Sequence, residues 1–492
     1  MLKMNDIAII GSGFSGLSAA AVLAKNGQKV TVYEKNEKLG GRARQFKKQG
    51  YTFDMGPSWY WMPDVFDKFF RRFDKTSSDY YELQRLNPGF QIIFSENNTM
   101  PIPADWNSIL RLFENIEKGS SLKLETFMEE AAFKYEIGVN KLVYEPGLSI
   151  KEVCKKEILS NVFKLQIFTS YRKHIANFFT NPKIKALLEF PVLFLGTAPQ
   201  DTPALYSLMA YSGIKHGTFY PSGGFGKVIE GFVQLCKELG VKFMTNTSVT
   251  KINIKDKRAK TISTSNGEFS FDYIIASADY HHVEEKLLEK KYRNYSEKYW
   301  NKKTFSPSSL LFYLGLNSKI DNLEHHNLFF DEDIELHTQE IYKNPSWPSK
   351  PLFYACCPSK TDSSVAPKAK ENIFLLMPLA PGLNDDEQLR EKYFKIMIAR
   401  LEKHCRQGIL EHIEYKRSYC INDFKEDYNS FKGNAYGLAN TLFQTANLKP
   451  KIINKKIKNL FYTGQLTVPG PGVPPSIISG QVVADYLLNK IK

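Results

Sequence analysis

At 492 residues the chain is long enough to bury a large core, as about three domains' worth of material or one enzyme with nested parts. Its 66 Lys and Arg against 52 Asp and Glu leave a formal net charge of +14, but the lysines are dispersed and no nucleic-acid motif accompanies them, so the reading is a solvated basic surface with no nucleic acid as partner. The six cysteines form no C-x-x-C, which points to reduced, cytosolic thiols (Cys356 and Cys357 included), and no run reaches the ~18 apolar residues of a membrane span, which leaves only peripheral membrane contact.

The first predicted elements are a strand over residues 7–10, Gly11-x-Gly13-x-x-Gly16, a small-residue helix over 17–25 and a strand over 30–34 that ends on Glu34. This order is a dinucleotide-binding βαβ unit with its acidic terminus. Gly11 turns the chain out of the strand, Gly13 lets the backbone approach a pyrophosphate, and Gly16 lets the helix pack close. Phe14 and Ser15 fall where the helix N-terminus offers free N–H groups to phosphates. Glu34 stands 18 residues after Gly16, with Lys35 beside it; its carboxylate accepts from ribose hydroxyls and repels a 2′-phosphate. The glycine fingerprint inside this apolar run identifies it as βα rather than a secretion signal. Gly40-Gly41-Arg42 separates FAD from NAD. Such a segment lies along the cofactor in FAD proteins similar to the glutathione reductase and amine oxidase group, with the Arg placed to neutralise phosphate. Asp54-Met-Gly56-Pro57-Ser58 follows at a spacing that returns a turn to the cofactor.

Residues from about 100 to 215 read mostly helical. Residues 162–179 mix apolar, aromatic and basic positions, and 184–195 are strongly apolar, with Phe190 and Phe194. Such a patch lies in a membrane interface or forms ordinary helical core. Tyr220-Pro221 and Gly224 open a helix over 228–239. Strand-like stretches follow at 241–245 and 249–254, Val249 being placed at the cofactor, and Gly267 turns the chain back into 271–279. Residues 290–430 alternate strands (310–316, 372–378) with a helix over 386–403, and no carboxylate there is singled out as a catalytic base. His281-His282 and His325-His326 are adjacent pairs whose side chains diverge on a strand or helix, so one ion seldom receives both and no metal is expected. The last motif is a strand over 459–463, a loop with Gly464, Gln465 and Gly472, and a helix beginning Val473-Pro474-Pro475-Ser476-Ile477. Its N-terminus points N–H groups at the flavin N1/O2 edge.

Taken together, Gly11-x-Gly13-x-x-Gly16, Leu39-Gly-Gly-Arg-Ala43, Asp54-x-Gly-Pro57, Tyr220-Pro-x-Gly-Gly224, Asn434-Ala-Tyr-Gly437 and Thr463-Gly-x-x-Thr-x-Pro-Gly-x-Gly-Val-Pro474 resemble the bacterial-type phytoene desaturases, carotenoid desaturases of the flavin amine oxidase-like superfamily, over the whole chain. Val468 stands where many members carry His, as in a subgroup of that family. The resemblance implies an α/β fold: a Rossmann-like FAD-binding domain of the glutathione reductase and amine oxidase type, a mixed-sheet substrate domain, and a helical subdomain in contact with a membrane. The expected boundaries are 1–75, 215–290 and 430–492 for the FAD-binding domain, 76–100 and 291–429 for the substrate domain, and 101–214 for the helical subdomain. The implied activity is desaturation of phytoene towards lycopene by hydride transfer to FAD, in a cytoplasmic enzyme bound peripherally to a membrane, with oxygen or a quinone as electron acceptor. Trp59, Tyr60, Trp61, Phe190, Phe194 and Tyr436 are candidates for the apolar tunnel such a substrate needs. The alternatives are a later carotenoid desaturase, oxygenase or isomerase on the same scaffold, or a flavin-free isoprenoid-binding chaperone, which would have no use for Glu34, Gly40-Gly41-Arg42 or the 464–474 motif.

Overall fold

The first strand, Asp6–Ile10, is apolar at nearly every position, so it can be satisfied only where both faces are covered. The computed structural model, which describes residues 3–149, 152, 161–193 and 196–492, places it at the centre of a five-stranded parallel sheet. Lys29–Tyr33 and Tyr273–Ala276 flank it, and Lys242–Met244 and Leu460–Tyr462 form the two edges. The sheet thus gathers strands from both ends and the middle of the chain. Helix Phe14–Lys25 links the first two strands and packs against the last helix, Val473–Ile491. Gly480 sets their separation, because a Cβ there would collide with the Ser15 carbonyl and the Ser18 hydroxyl. Ser18 Oγ also donates to the Ile477 carbonyl at 2.9 Å across the same contact.

A second sheet has seven strands in the order Ile413–Tyr419, Ser308–Leu316, Glu371–Leu379, Phe353–Cys356, His326–Phe329, Phe90–Ser95 and Asn98–Ile102. Strand Ser308–Leu316 is buried along its whole length, and the period of two sorts its side chains. Leu310, Phe312, Leu314 and Leu316 pack with Phe394, Met397 and Leu401 of helix Glu387–Cys405, while Leu311 and Tyr313 face the main core. A small three-stranded antiparallel sheet, Val249–Lys255, Arg258–Thr264 and Gly267–Ser270, is separate from both.

The described residues between Trp106 and Leu193 are mostly helical, with Ser120–Asn140 the longest element. Of the patch read as membrane interface or helical core, Tyr171, Ile175 and Phe179 are buried, and Phe168 is 82% exposed. Phe194 and Leu195 lie outside the described residues. No helix among the described residues is long and apolar enough to cross a membrane.

The helix expected over 228–239 begins earlier, as Phe225–Glu238. Its first turn lacks a capping side chain of its own, and Asp54 supplies one from far away in sequence. Asp54 accepts from Phe225 N at 2.8 Å and Gly226 N at 3.1 Å, tying the Asp54-to-Ser58 loop to this helix. A Gly480→Val substitution is expected to force the terminal helices apart and lower unfolding stability by about 3 kcal/mol in denaturant titrations. An unchanged midpoint would contradict the close contact.

Candidate cofactor and substrate site

Beyond the carboxyl end of the first strand, where open parallel sheets bind ligands, lies a cavity of about 470 Å³. It joins a polar end, built on the glycine turn, to an apolar end walled by the second sheet and the helical layer. Gly11, Gly13, Phe14, Ser15, Glu34, Lys35, Gly40, Gly41, Arg42, Gly56, Pro57, Ser58, Val249, Gly464, Gln465, Gly472, Val473 and Pro474 all line it. Gly16 and Ile477 are not part of the lining. Gly16 is where the helix abuts the turn, since its Cβ would collide with the Gly11 carbonyl, and Ile477 is fully buried in the contact with helix Phe14–Lys25.

Gly13 fits the role its position suggests. A Cβ there would meet nothing within 4 Å, so the backbone presents itself to open space. The Glu34 carboxylate is buried and held by four donors. Ser12 N and Ser12 Oγ reach Oε2 at 3.1 and 2.6 Å, and Asn36 N and Nδ2 both reach Oε1 at 3.0 Å. Ribose hydroxyls would replace the two side-chain donors, which can rotate away, while the two backbone donors keep the carboxylate oriented. Ser12 Oγ also accepts from Gly40 N at 3.2 Å, which fastens the Gly40-Gly41-Arg42 segment to the glycine turn. Sequence reasoning missed Ser12 and Asn36, although one lies inside the fingerprint and the other two residues past its acid.

Arg42 is the main electrostatic feature of the polar end. Its half-buried guanidinium lies over the Tyr428 ring, 4.9 Å from the centroid, and donates to Ser430 Oγ at 3.2 Å, while the buried Nε has no partner. No carboxylate pairs with it among the described residues. Burial lowers its pKa, and the field of Asp279 opposes that shift. Asp279 is itself buried, with Oδ1 accepting from His282 N at 3.1 Å and Oδ2 unpartnered, and burial raises its pKa. A half-buried cation without an ion-pair partner among the described residues, with a spare donor and lining the same cavity as the open Gly13 backbone, fits the pyrophosphate of FAD.

In the loop that follows the last strand, Gln465 Nε2 is likewise buried and unpartnered. The helix N-terminus beside it offers less than expected. Of Val473, Pro474 and Pro475 only Val473 carries an N–H, and Ser476 N is spent on the Gly472 carbonyl at 3.0 Å. The expectation of several N–H groups aimed at the flavin edge therefore narrows to Val473 and the Gln465 amide. The helix Ile421–Tyr428 brings Asp427 and Tyr428 to the polar end, and Arg44 pairs with Asp427 at 2.7 Å. No sequence signal marked that helix.

Of the tunnel candidates, Trp59, Trp61, Phe190 and Tyr436 line the apolar end. Tyr60 does not. It is buried, stacked on Phe66 at 4.2 Å and bonded to Tyr81 through its hydroxyl at 2.7 Å. Phe194 lies outside the described residues. The remaining wall comes from Leu311, Leu328, Tyr354, Phe374 and Leu376 of the second sheet and from Ile334, Ile341 and Tyr342 of helix Ile334–Tyr342. The expected divergence of His325 and His326 is not found. Strand His326–Phe329 starts at the second of them, His325 is still in the preceding loop, and the buried rings converge to 4.4 Å, with Cys356 Sγ 3.7 Å from His326 Nδ1.

Residues 14–488 match the family of flavin containing amine oxidoreductases. A carotenoid 3,4-desaturase of Haloarcula japonica is 38% identical over 492 residues, spanning 100% of this chain and 99% of its own. A 4,4′-diapophytoene desaturase (4,4′-diaponeurosporene-forming) of Staphylococcus haemolyticus is 32% identical over 498 residues, spanning 99% of each. The crystal structure of an oxidoreductase from Methanosarcina mazei superposes with a TM-score of 0.62 at 15% identity, over 98% of this chain and 100% of its own, a likeness of fold. On the geometry of the polar end, Arg42→Met is expected to weaken FAD binding about 10- to 100-fold in fluorescence titrations of the apoprotein, with Arg42→Lys between it and the parent chain because an ammonium lacks the guanidinium fork. Equal affinities in all three would contradict the role given to Arg42.

Proposed function

The chain belongs to the flavin-containing amine oxidoreductase family as a carotenoid desaturase with FAD as its cofactor, and we propose that its substrate is an acyclic carotene that already carries a conjugated polyene. The observation that supports this reading is one continuous cavity whose polar end suits FAD and whose apolar end is walled by aromatic and aliphatic side chains. A hydrocarbon has no polar handle, so shape alone can position it. The full-length likeness to a 3,4-desaturase favours a late desaturation over the first steps from phytoene. Desaturation of phytoene towards lycopene is the second reading, favoured by the Thr463-to-Pro474 motif.

When bound, FAD supplies a two-electron hydride acceptor. In this proposal Gly13 and Arg42 hold the pyrophosphate, Glu34 the ribose, and Gln465 with the Val473 N–H the flavin edge. Trp59, Trp61 and Phe190 exclude water and hold the polyene against it, which supplies orientation at low entropic cost. Gly56, Pro57 and Ser58 form the wall between the two ends. The expected division into an FAD-binding domain and a substrate domain corresponds, in this reading, to the two sheets on either side of the cavity. A substrate dissolved in bilayers calls for a protein resting on the membrane surface, and the exposed Phe168 is a contact suited to it. Oxygen or a membrane quinone would take the electrons onward.

Holoprotein mixed with liposomes containing lycopene is expected to yield a product two hydrogens lighter with a red-shifted polyene spectrum, faster than any loss of phytoene from parallel liposomes. Consumption of phytoene with lycopene untouched would establish the second reading, and turnover of neither would overturn both.

A further inference from the structure

Desaturation removes a hydride and a proton from neighbouring carbons, and FAD accounts for the hydride. The apolar end of the cavity offers little to receive the proton. Glu34, Lys35, Arg42, Asp279 and Asp427, the charged lining residues, belong to the polar end. His337 lines the apolar end, but both its nitrogens are engaged, Nε2 with the Pro378 carbonyl at 3.0 Å and Nδ1 with Leu352 N at 3.0 Å.

Tyr354 differs from the other lining hydroxyls in being wired to a buried imidazole. Its hydroxyl lies 3.0 Å from Ser58 Oγ and 2.5 Å from His326 Nδ1. His326 is stacked on Trp59 with centroids 4.1 Å apart, so the ring forms part of the same wall. Behind that wall is a separate small cavity of about 20 Å³, where Ser58, Asp54, Tyr220, His325 and Cys356 stand among apolar residues such as Phe53, Val365 and Phe374. That is room for one water molecule with several polar partners. Ser58 lines both cavities. The Nε2 atoms of His325 and His326 are buried without partners, and His325 Nδ1 lies 2.9 Å from the hydroxyl of half-buried Thr361. Tyr354 and His326 thus form one hydrogen-bonded pair at the hydrocarbon site, and His325 is bonded separately to Thr361.

We propose that Tyr354 is the catalytic acid–base residue of the desaturation and that His326 receives its phenolic proton. The inference rests on the carotene desaturase reading. As the hydride departs to FAD with its electron pair, the neighbouring C–H bond breaks. Its electrons become the new C=C bond and its proton goes to Tyr354 Oη. The Tyr354 O–H bond breaks in the same event, and that proton goes to His326 Nδ1 to give an imidazolium. Once the product has left, the relay runs backwards: His326 Nδ1 returns its proton to Tyr354 Oη, and the Tyr354 proton goes to water that has entered the cavity, which restores the resting tautomers. Burial raises the pKa of Tyr354 and lowers that of His326, so the resting pair is a neutral phenol and a neutral imidazole. A weak base suffices because a C–H bond beside a developing allylic cation is strongly acidic. A charged, buried His326 discharges readily.

The test uses FAD-loaded Tyr354→Phe and His326→Phe, which keep the rings and remove the relay. Turnover of the carotene that the parent chain accepts is expected to fall about 100-fold in each. FAD content and polyene binding, read from the shift of the polyene absorbance, should stay unchanged, and the solvent deuterium effect on turnover should disappear. In the parent apoprotein, ¹⁵N-histidine NMR should show His326 with its proton on Nε2. Turnover within threefold of the parent in Tyr354→Phe, or a proton on Nδ1 of resting His326, overturns the proposal. So does stoichiometric metal held by His325, His326 and Cys356, since coordination would occupy the imidazole lone pairs. A parent chain inert towards every carotene overturns the desaturase reading, and the relay with it, whereas an active parent with equally active variants removes the relay alone.

Discussion

A half-buried guanidinium that forms no ion pair among the described residues is the constraint around which the polar end of this molecule is organised. Taking a cation out of water costs several kcal/mol unless an anion and hydrogen bonds replace its hydration. Arg42 receives the Tyr428 ring and the Ser430 hydroxyl from the far side of the cavity and keeps Nε unspent. Its position is fixed by the Gly40-to-Ser12 contact and by the packing of Gly56 against the Arg42 carbonyl. A diphosphate there would give the spare Nε donor its partner, so under the proposed function the cofactor would complete the site as well as react in it.

The fold brings the pieces of this site from distant parts of the chain. Terminal helices Phe14–Lys25 and Val473–Ile491 meet at Gly480, which brings the glycine turn and the 464–474 loop together in the lining of one cavity. Asp54 ties the Gly56-Pro57 loop to the helix after Gly224. The second sheet contributes an apolar face through the alternation of strands such as Ser308–Leu316, so the same strand builds a core on one side and a hydrocarbon wall on the other. The two ends differ in chemistry: charge and hydrogen bonds line one, aromatic and aliphatic side chains the other.

What was legible in the sequence is what depends on local backbone. The strand, glycine turn, helix and acid of residues 6–34 were readable because each glycine has a steric task and each strand an apolar run. The final Pro/Gly loop and helix were readable for the same reason, although the prolines leave fewer N–H donors there than anticipated. What was illegible is non-local. Arg42 meets Ser430 across 388 positions and Phe225 is capped by Asp54 across 171, separations over which a single sequence carries no pairing signal. Helix Ile334–Tyr342 supplies lining residues from a stretch without motif. The convergence of His325 and His326 depends on one of them lying just outside the strand, and element ends are the least certain part of any pattern reading.

Anaerobic mixing of the FAD-loaded protein with an acyclic carotene in liposomes tests the central claim most directly, with the flavin and polyene absorbances followed together. The account predicts that the flavin's visible band bleaches at the same rate as the polyene spectrum moves to the red, one flavin reduced for each double bond formed. A polyene that binds in the cavity while the flavin stays oxidised, or a polyene that lengthens without bleaching, would contradict it.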